Sequence, residues 1–234
     1  MEQYRLKLNL LSDTCFSRGD GKAGYVDQEI KYDRYGMPYI DGRTIKGLTA
    51  SSCAEVLNAI QKSSLGQYEK LYNCAAVLFG LPGSGTEKGK LRFGRARLPD
   101  DLRIAIQKEF AQKTAGSRGQ QKNLIHQELK RSYLEAFTIT RCMTAMDKTG
   151  APLDESLRTV RLIRKNIFFI TTIESDQNLE DFEKGLLAAC ISVLNRVGSN
   201  RNRGSGKISA EIRDAQGEIL KDRFLNSFFT EVKA

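Results

Sequence analysis

Tyr4, Leu6, Leu8 and Leu10 alternate with Arg5, Lys7 and Asn9. A period of two puts the apolar set on one side of an extended chain, which predicts a half-buried strand at the start. The polar, glycine-bearing stretch from Ser12 to Tyr25 predicts a loop, and an extended piece over about Val26–Tyr32 follows it. Pro38 between Gly36 and Gly42 marks a turn. From Thr44 the period changes. Ile45, Leu48, Cys53, Val56, Leu57 and Ile60 recur every three or four residues, the spacing of one helix face.

Further helices are predicted over about 67–79, 101–114, 123–135 and 179–194, and further strands over about 91–98, 137–146, 161–173 and 207–213. Ala115–Gln121 has nothing to bury and reads as a mobile link. Strand, helix, strands, helix, strand is the order of an α+β, ferredoxin-like (RRM-like βαββαβ) domain with extended loops. The chain reads as a single domain over 1–234, with about 65–135 as a helical insertion within it and no repeat of fixed period.

Composition adds a direction to this picture. Hydrophobic residues make up 40% of the 234, enough for a core, and the formal net charge is +9. A surplus of that size favours a polyanionic partner, most simply nucleic acid. No run of about 18 apolar residues suggests a membrane span, and MEQYRLKLNLL has no signal-peptide character. Cys15, Cys53, Cys74, Cys142 and Cys190 form no CxxC pair, so a zinc site of usual spacing is not expected. Such scattered cysteines suit a reducing cytoplasm, as small buried apolar groups.

Gly19–Gly24 spells GxGxxG, but the residues after it look extended rather than helical, against a dinucleotide site. Gly80–Lys90 lacks the spacing of a phosphate-binding Walker loop, because Leu91 stands where Ser or Thr is needed. His126, the single histidine, sits at helical spacing with no nucleophile assignable beside it. Asn195–Lys207 is more informative. It follows a helix, precedes a strand, and interleaves Gly198, Gly204 and Gly206 with Arg196, Arg201, Arg203 and Lys207. Glycines let backbone N–H groups approach a phosphate closely, and the interleaved cations add charge. Lys88, Lys90, Arg92, Arg95 and Arg97 alternate along a short segment and read either as a phosphate track or as a solvated strand face.

Gly24-Tyr-Val-Asp-Gln-Glu-Ile-Lys-Tyr-Asp-Arg-Tyr-Gly-Met-Pro-Tyr-Ile-Asp-Gly-Arg-Thr-Ile-Lys-Gly47 resembles the N-terminal signature of the RAMP (repeat-associated mysterious protein) superfamily of type III CRISPR effector complexes. Val77–Gly80 with Leu91–Ala96, Thr144–Ala151 with Ser156–Arg158, and Arg196–Lys207 resemble later elements of that family in the same order. One departure is Asp41, where the family usually has proline.

The resemblance implies a ferredoxin-like subunit that binds CRISPR RNA and works beside target RNA, other RAMP subunits and a large type III signature subunit, in the cytoplasm and away from membranes. Backbone-type subunits cleave target RNA, and Asp27 matches their loop aspartate. Such a group positions Mg²⁺ or orients a target 2′-OH for in-line attack. The wording DQEIKYDRYGMPYI with SLRTVRLI also resembles a type III-D cap-like subunit, which implies a non-catalytic scaffold or cap holding the 5′ handle. Implied RNA contacts are Arg18 and Lys22 in the first loop, Arg43, Thr44 and Lys46 at the helix start, Arg158 near the hairpin, and Arg196, Ser199, Asn200, Arg201, Arg203 and Lys207 in the glycine-rich loop.

Overall fold

The computed structural model describes residues 2–21, 26–63, 67–80, 88–153, 155–199, 201 and 204–233. Its first strand, β1 (Glu2–Leu10), buries Tyr4, Leu6, Leu8 and Leu10, while Arg5 on the other face is exposed. Leu6, Leu8 and Leu10 are 0%, 2% and 1% accessible, and burial of each side chain stabilises by roughly 1.5–3 kcal/mol. The remaining elements are α1 (Gly42–Lys62), α2 (Tyr68–Phe79), β2 (Leu91–Phe93), α3 (Asp100–Lys113), α4 (Gly119–Phe137), β3 (Thr138–Met143), β4 (Arg158–Ile163), β5 (Phe168–Ser175), α5 (Asp181–Val193), β6 (Ile208–Arg213) and α6 (Lys221–Lys233).

Strands β2, β5, β1 and β6 lie side by side in that order and every neighbouring pair is antiparallel. With α1 after β1 and α5 after β5, this is the strand order of a ferredoxin-like βαββαβ sandwich. The expected fold class is what the chain adopts. Leu8 faces Phe169 on one side and Ala210 on the other, so β1 is an interior strand paired along both edges. Helix α5 contributes Leu186, Leu187 and Cys190, each fully buried, to the core that also takes Ile45 and Cys53 from α1. Its start is closed by a reciprocal capping pair, in which the Glu180 N–H donates to the Glu183 carboxylate at 2.9 Å.

Within the segment about 65–135, β2 is an edge strand of the main sheet, with α2 before it and α3 and α4 after it. The excursion from the sheet between β2 and β5 also takes in β3 and β4, which pair with each other as a hairpin, and β4 adds single bridges to Thr14 and Gln28.

The structure departs from these expectations in detail. The piece read as one strand over 161–173 is two, β4 and β5. They are separated by Asn166 at φ +66°, a left-handed conformation that asparagine tolerates. Val26–Tyr32 is extended, as expected, and is held by single bridges, Gln28 with Val160, Ile30 with Ser17 and Tyr32 with Pro38. Helix α6, whose Phe228 and Val232 are buried against the core, was not expected, and Gly119–Gln121 of the presumed link are the first residues of α4.

Candidate nucleic-acid interface

A cleft of about 250 Å³ opens where three chain segments meet. Phe16 and Ser17 come from the loop after β1, Lys31, Tyr39 and Thr44 from the run into α1, and Ser199 and Arg201 from the glycine-rich loop. The glycine-rich loop is tied to the end of β1 by main-chain bonds. Leu11 N–H donates to the Lys207 carbonyl at 2.8 Å, Ser199 N–H donates to the Cys15 carbonyl at 2.9 Å, and Lys207 N–H donates to Ser12 Oγ at 2.9 Å. Such close approach needs glycine at two places. A Cβ on Gly198 (φ +76°) would sit 2.4 Å from the Cys15 carbonyl oxygen, and one on Gly206 (φ +78°) would sit 2.0 Å from that of Val197.

The α1 start forms the opposite wall. Asp41 precedes the helix in extended geometry but makes no side-chain bond to its N–H groups, and the first turn has no acidic residue. Those N–H groups have no side-chain cap, and Asp41 and Thr44 of the helix start line the cleft, so the positive end of the helix lies beside it. The Asp41 carboxylate is engaged elsewhere, by Lys31 Nζ at 2.5 Å and Arg95 Nε at 3.5 Å. Asp41 thereby ties two basic segments together beside the helix start. Lys46, one turn in, is half-buried, and loss of hydration there pushes its ammonium below the ordinary 10.5.

The structure brings Thr44, Ser199 and Arg201 to one cleft, and adds Lys31 and Tyr39, which the sequence reading had not singled out. The only sign of these two lay in their position inside the matched stretch from Gly24 to Gly47. Arg43 is exposed on the first turn of α1, outside the cleft lining. Arg196 is exposed and donates to the Arg201 carbonyl at 2.8 Å, which braces the loop, while the exposed Lys207 lies opposite Arg196 in an isolated bridge. Arg18 is held by Asp20 at 2.6 Å in its own loop. Lys22, Asn200 and Arg203 lie outside the described residues. The alternating cations from 88 to 97 do not form one face, because β2 ends at Phe93, Lys90 pairs with Glu183 at 2.8 Å, and Arg92 pairs with Asp176.

Asp27 stands at a second place, beside the hairpin. Its N–H donates to the Thr159 carbonyl at 2.8 Å, and its Oδ2 accepts the Thr159 N–H at 2.6 Å. Arg158, exposed on the neighbouring hairpin position, begins β4. The loop is anchored one step further on, where buried Glu29 pairs with buried Arg161 of β4. Among the described residues no group of three His, Cys, Asp or Glu side chains is placed to hold a metal ion. His126 packs its ring against Phe110, centroids 4.9 Å apart, within an aromatic cluster that includes Tyr35 and Tyr133. Four cysteines are buried and Cys142 is exposed, so the expectation of buried thiols holds for all but that one.

The RAMP superfamily model matches residues 7–209, and the chain belongs to the RAMP superfamily. Among solved structures it is similar to a chain of the type III-B Cmr-β complex bound to cognate target RNA, determined by cryo-EM. That match has 11% identity and a TM-score of 0.59, covering 91% of this chain and 97% of the other. A chain of the apo type III-B Cmr-β complex is similar at 12% identity and a TM-score of 0.59, covering 94% and 98%. At such identity the likeness is one of fold. No curated protein matches. No helix among the described residues is long and apolar enough to cross a membrane.

Proposed function

We propose that this chain is a guide-RNA-binding subunit of a type III CRISPR effector complex and that its Asp27 takes part in cutting target RNA. What carries the RNA reading is the meeting of the glycine-rich loop, Lys31 and the uncapped start of α1 around one cleft. Backbone N–H groups, a helix start and flexible cations are the equipment for phosphates rather than bases, so recognition would be insensitive to sequence. The partners on this reading are the guide, the target, further RAMP subunits and a large signature subunit, in the cytoplasm. The family membership and the fold shared with Cmr-β chains support that assignment.

In the cutting step the target 2′-OH attacks the adjacent phosphorus. The P–O2′ bond forms, the P–O5′ bond breaks, and a 2′,3′-cyclic phosphate and a 5′-OH result. The Asp27 carboxylate, exposed at the foot of the hairpin, orients that hydroxyl and accepts its proton. A Mg²⁺ ion fits this site only if most of its ligands come from RNA phosphates, since among the described residues no group of three His, Cys, Asp or Glu side chains stands there. That mode of binding is usual for the ion, and its contribution would be to neutralise charge on the phosphate.

The test is a reconstituted complex carrying Asp27→Asn or Asp27→Ala. Guide retention should be unchanged and target cutting should fall about 10²–10⁴-fold. Cutting at the parental rate with either variant would remove Asp27 from the reaction. One observation favours a second reading, that of a non-cutting scaffold or 5′-handle cap: the Asp27 carboxylate already holds the Thr159 N–H at 2.6 Å, a purely structural duty. On that reading both variants keep every cut.

A further inference from the structure

On the other side of the Pro38–Asp41 segment lies a second cleft, of about 390 Å³, whose walls include Arg34, Tyr35, Tyr39, Arg95, Arg97 and Arg103. It is assembled from parts far apart in sequence. Ile40 and Ala96 exchange main-chain bonds of 3.0 and 2.9 Å, which locks the segment after β2 against the run into α1. Ala96 is fully buried, so Arg95 and Arg97, its neighbours on an extended chain, both turn outward. Arg34 arrives from the turn before Gly36, and Arg103 from the first turn of α3.

The charge balance of this cleft is lopsided. Four guanidinium groups line it and one carboxylate, Asp33, does. Asp33 is also engaged, since its Oδ1 accepts the N–H groups of Tyr35 at 2.9 Å and Met37 at 3.1 Å. Arg95 and Arg103 have acids within reach in Asp41 and Asp100, whereas Arg97 pairs with no acid among the described residues. Two of the four lie over tyrosine rings. Arg34 lies 4.7 Å from the Tyr35 ring centre and Arg95 lies 4.3 Å from that of Tyr39. Arg34 also donates to Tyr35 Oη at 2.7 Å and Arg95 Nε lies 3.5 Å from Asp41, so each guanidinium is held in place by part of its N–H set and keeps further donors for an anion.

Tyr39 lines both clefts, and Asp41 holds a cation from each, Lys31 on one side and Arg95 on the other. The two clefts thus share the Tyr39 side chain as a wall. We infer that the arginine cleft is a second single-strand RNA site, which binds phosphates beyond those held at the glycine-rich loop. An acidic peptide would satisfy the charges, but the shared wall and the two tyrosines fit a nucleotide chain better. The inference rests on the RNA-binding reading of the chain and assigns residues that reading does not use.

Fluorescence anisotropy with the full chain and labelled oligouridylates tests it. One probe is short, about 4 nucleotides, and the other about 12, within the range of sites on single-strand binders. The double variant Arg34→Gln/Arg97→Gln should weaken binding of the long probe and lower its salt slope by about 1.4, since each lost phosphate contact removes about 0.7. The short probe should bind unchanged. In parallel, Arg201→Gln should weaken both probes. If the double variant binds the long probe with parental affinity and slope while Arg201→Gln weakens it, the inference is overturned and the RNA reading stands. If parental chain and variants alike bind with no salt dependence, the RNA reading itself falls. Unchanged RNA binding with loss of assembly into the complex would assign the cleft to an acidic protein segment instead, also overturning the inference. An unchanged thermal midpoint shows that the double variant is folded.

Discussion

Arg161 of β4 and Glu29 of the loop before α1 form an ion pair of 2.9 Å, with their side chains only 5% and 2% accessible. The same carboxylate accepts the Ile30 N–H at 3.0 Å, and Arg161 donates to Thr138 Oγ1 at 3.1 Å, so the pair joins loop, β4 and the start of β3. A buried charge without its partner is far more costly than a buried pair. Glu29→Ala or Arg161→Ala should therefore destabilise by about 3–5 kcal/mol, and Glu29→Leu/Arg161→Met together by much less. Urea unfolding of the three proteins reads this directly, and a single-variant loss below about 1 kcal/mol would contradict the burial described.

The glycine-rich loop offers an internal control. Gly204 and Gly206 both lie at left-handed φ, +80° and +78°, but a Cβ has open space at Gly204 and meets the Val197 carbonyl at Gly206. Gly204→Ala should cost about 1–2 kcal/mol, the left-handed penalty alone. Gly206→Ala must in addition displace the main-chain bond from Val197 N–H to the Gly206 carbonyl, 2.8 Å long. It should lower both the melting temperature and the affinity for single-stranded RNA well beyond Gly204→Ala. Equal effects of the two substitutions would mean that the loop does not hold this shape.

Thiol accessibility checks the packing of the helices. Cys142, on the hairpin, is exposed, and Cys15, Cys53, Cys74 and Cys190 are buried. Burial pushes the Cys15 thiol up to about 11, with Glu29 adding to it, and the Cys74 thiol up to about 12, with Glu183 adding to it. Since the thiolate is the reactive form, a disulfide reagent at neutral pH should label one thiol quickly and the other four only after denaturation. Cys142→Ser should abolish the fast phase.

The alternation at Tyr4–Leu10 and the helical spacing from Ile45 to Ile60 were legible because each is a local pattern imposed by a single buried face. The glycine-rich loop was legible because its glycines stand between a helix and a strand. What the sequence did not reveal depends on partners distant along the chain. Nothing near Val26–Tyr32 says that this extended segment is held by single bridges, Gln28 to Val160 and Ile30 to Ser17, instead of joining a sheet. Arg34 and Arg103 give no sign of sharing a cleft with Arg95 and Arg97 until the Ile40–Ala96 link is known. At Asn166 a single left-handed residue divided an apolar run that otherwise read as one strand.

Lys46 couples the helix start to pH. Partial burial lowers its folded-state pKa below the unfolded value, so between the two the native chain binds fewer protons than the unfolded one. Its contribution to folding is therefore unfavourable while it is charged and improves as pH rises through the folded-state value. RNA binding runs the other way. A phosphate beside Lys46 favours the ammonium and raises its pKa again, so binding takes up a proton wherever the free chain has lost it. Affinity for single-stranded RNA should thus fall as pH rises toward 10.5, earlier than exposed lysines would dictate. Lys46→Arg should flatten that fall, because a guanidinium stays charged throughout the range. Anisotropy titrations at fixed ionic strength across neutral to alkaline pH, with both proteins, measure the difference. Identical pH profiles would show that Lys46 does not meet the phosphate, and that the contact at the α1 start is made by its backbone N–H groups without it.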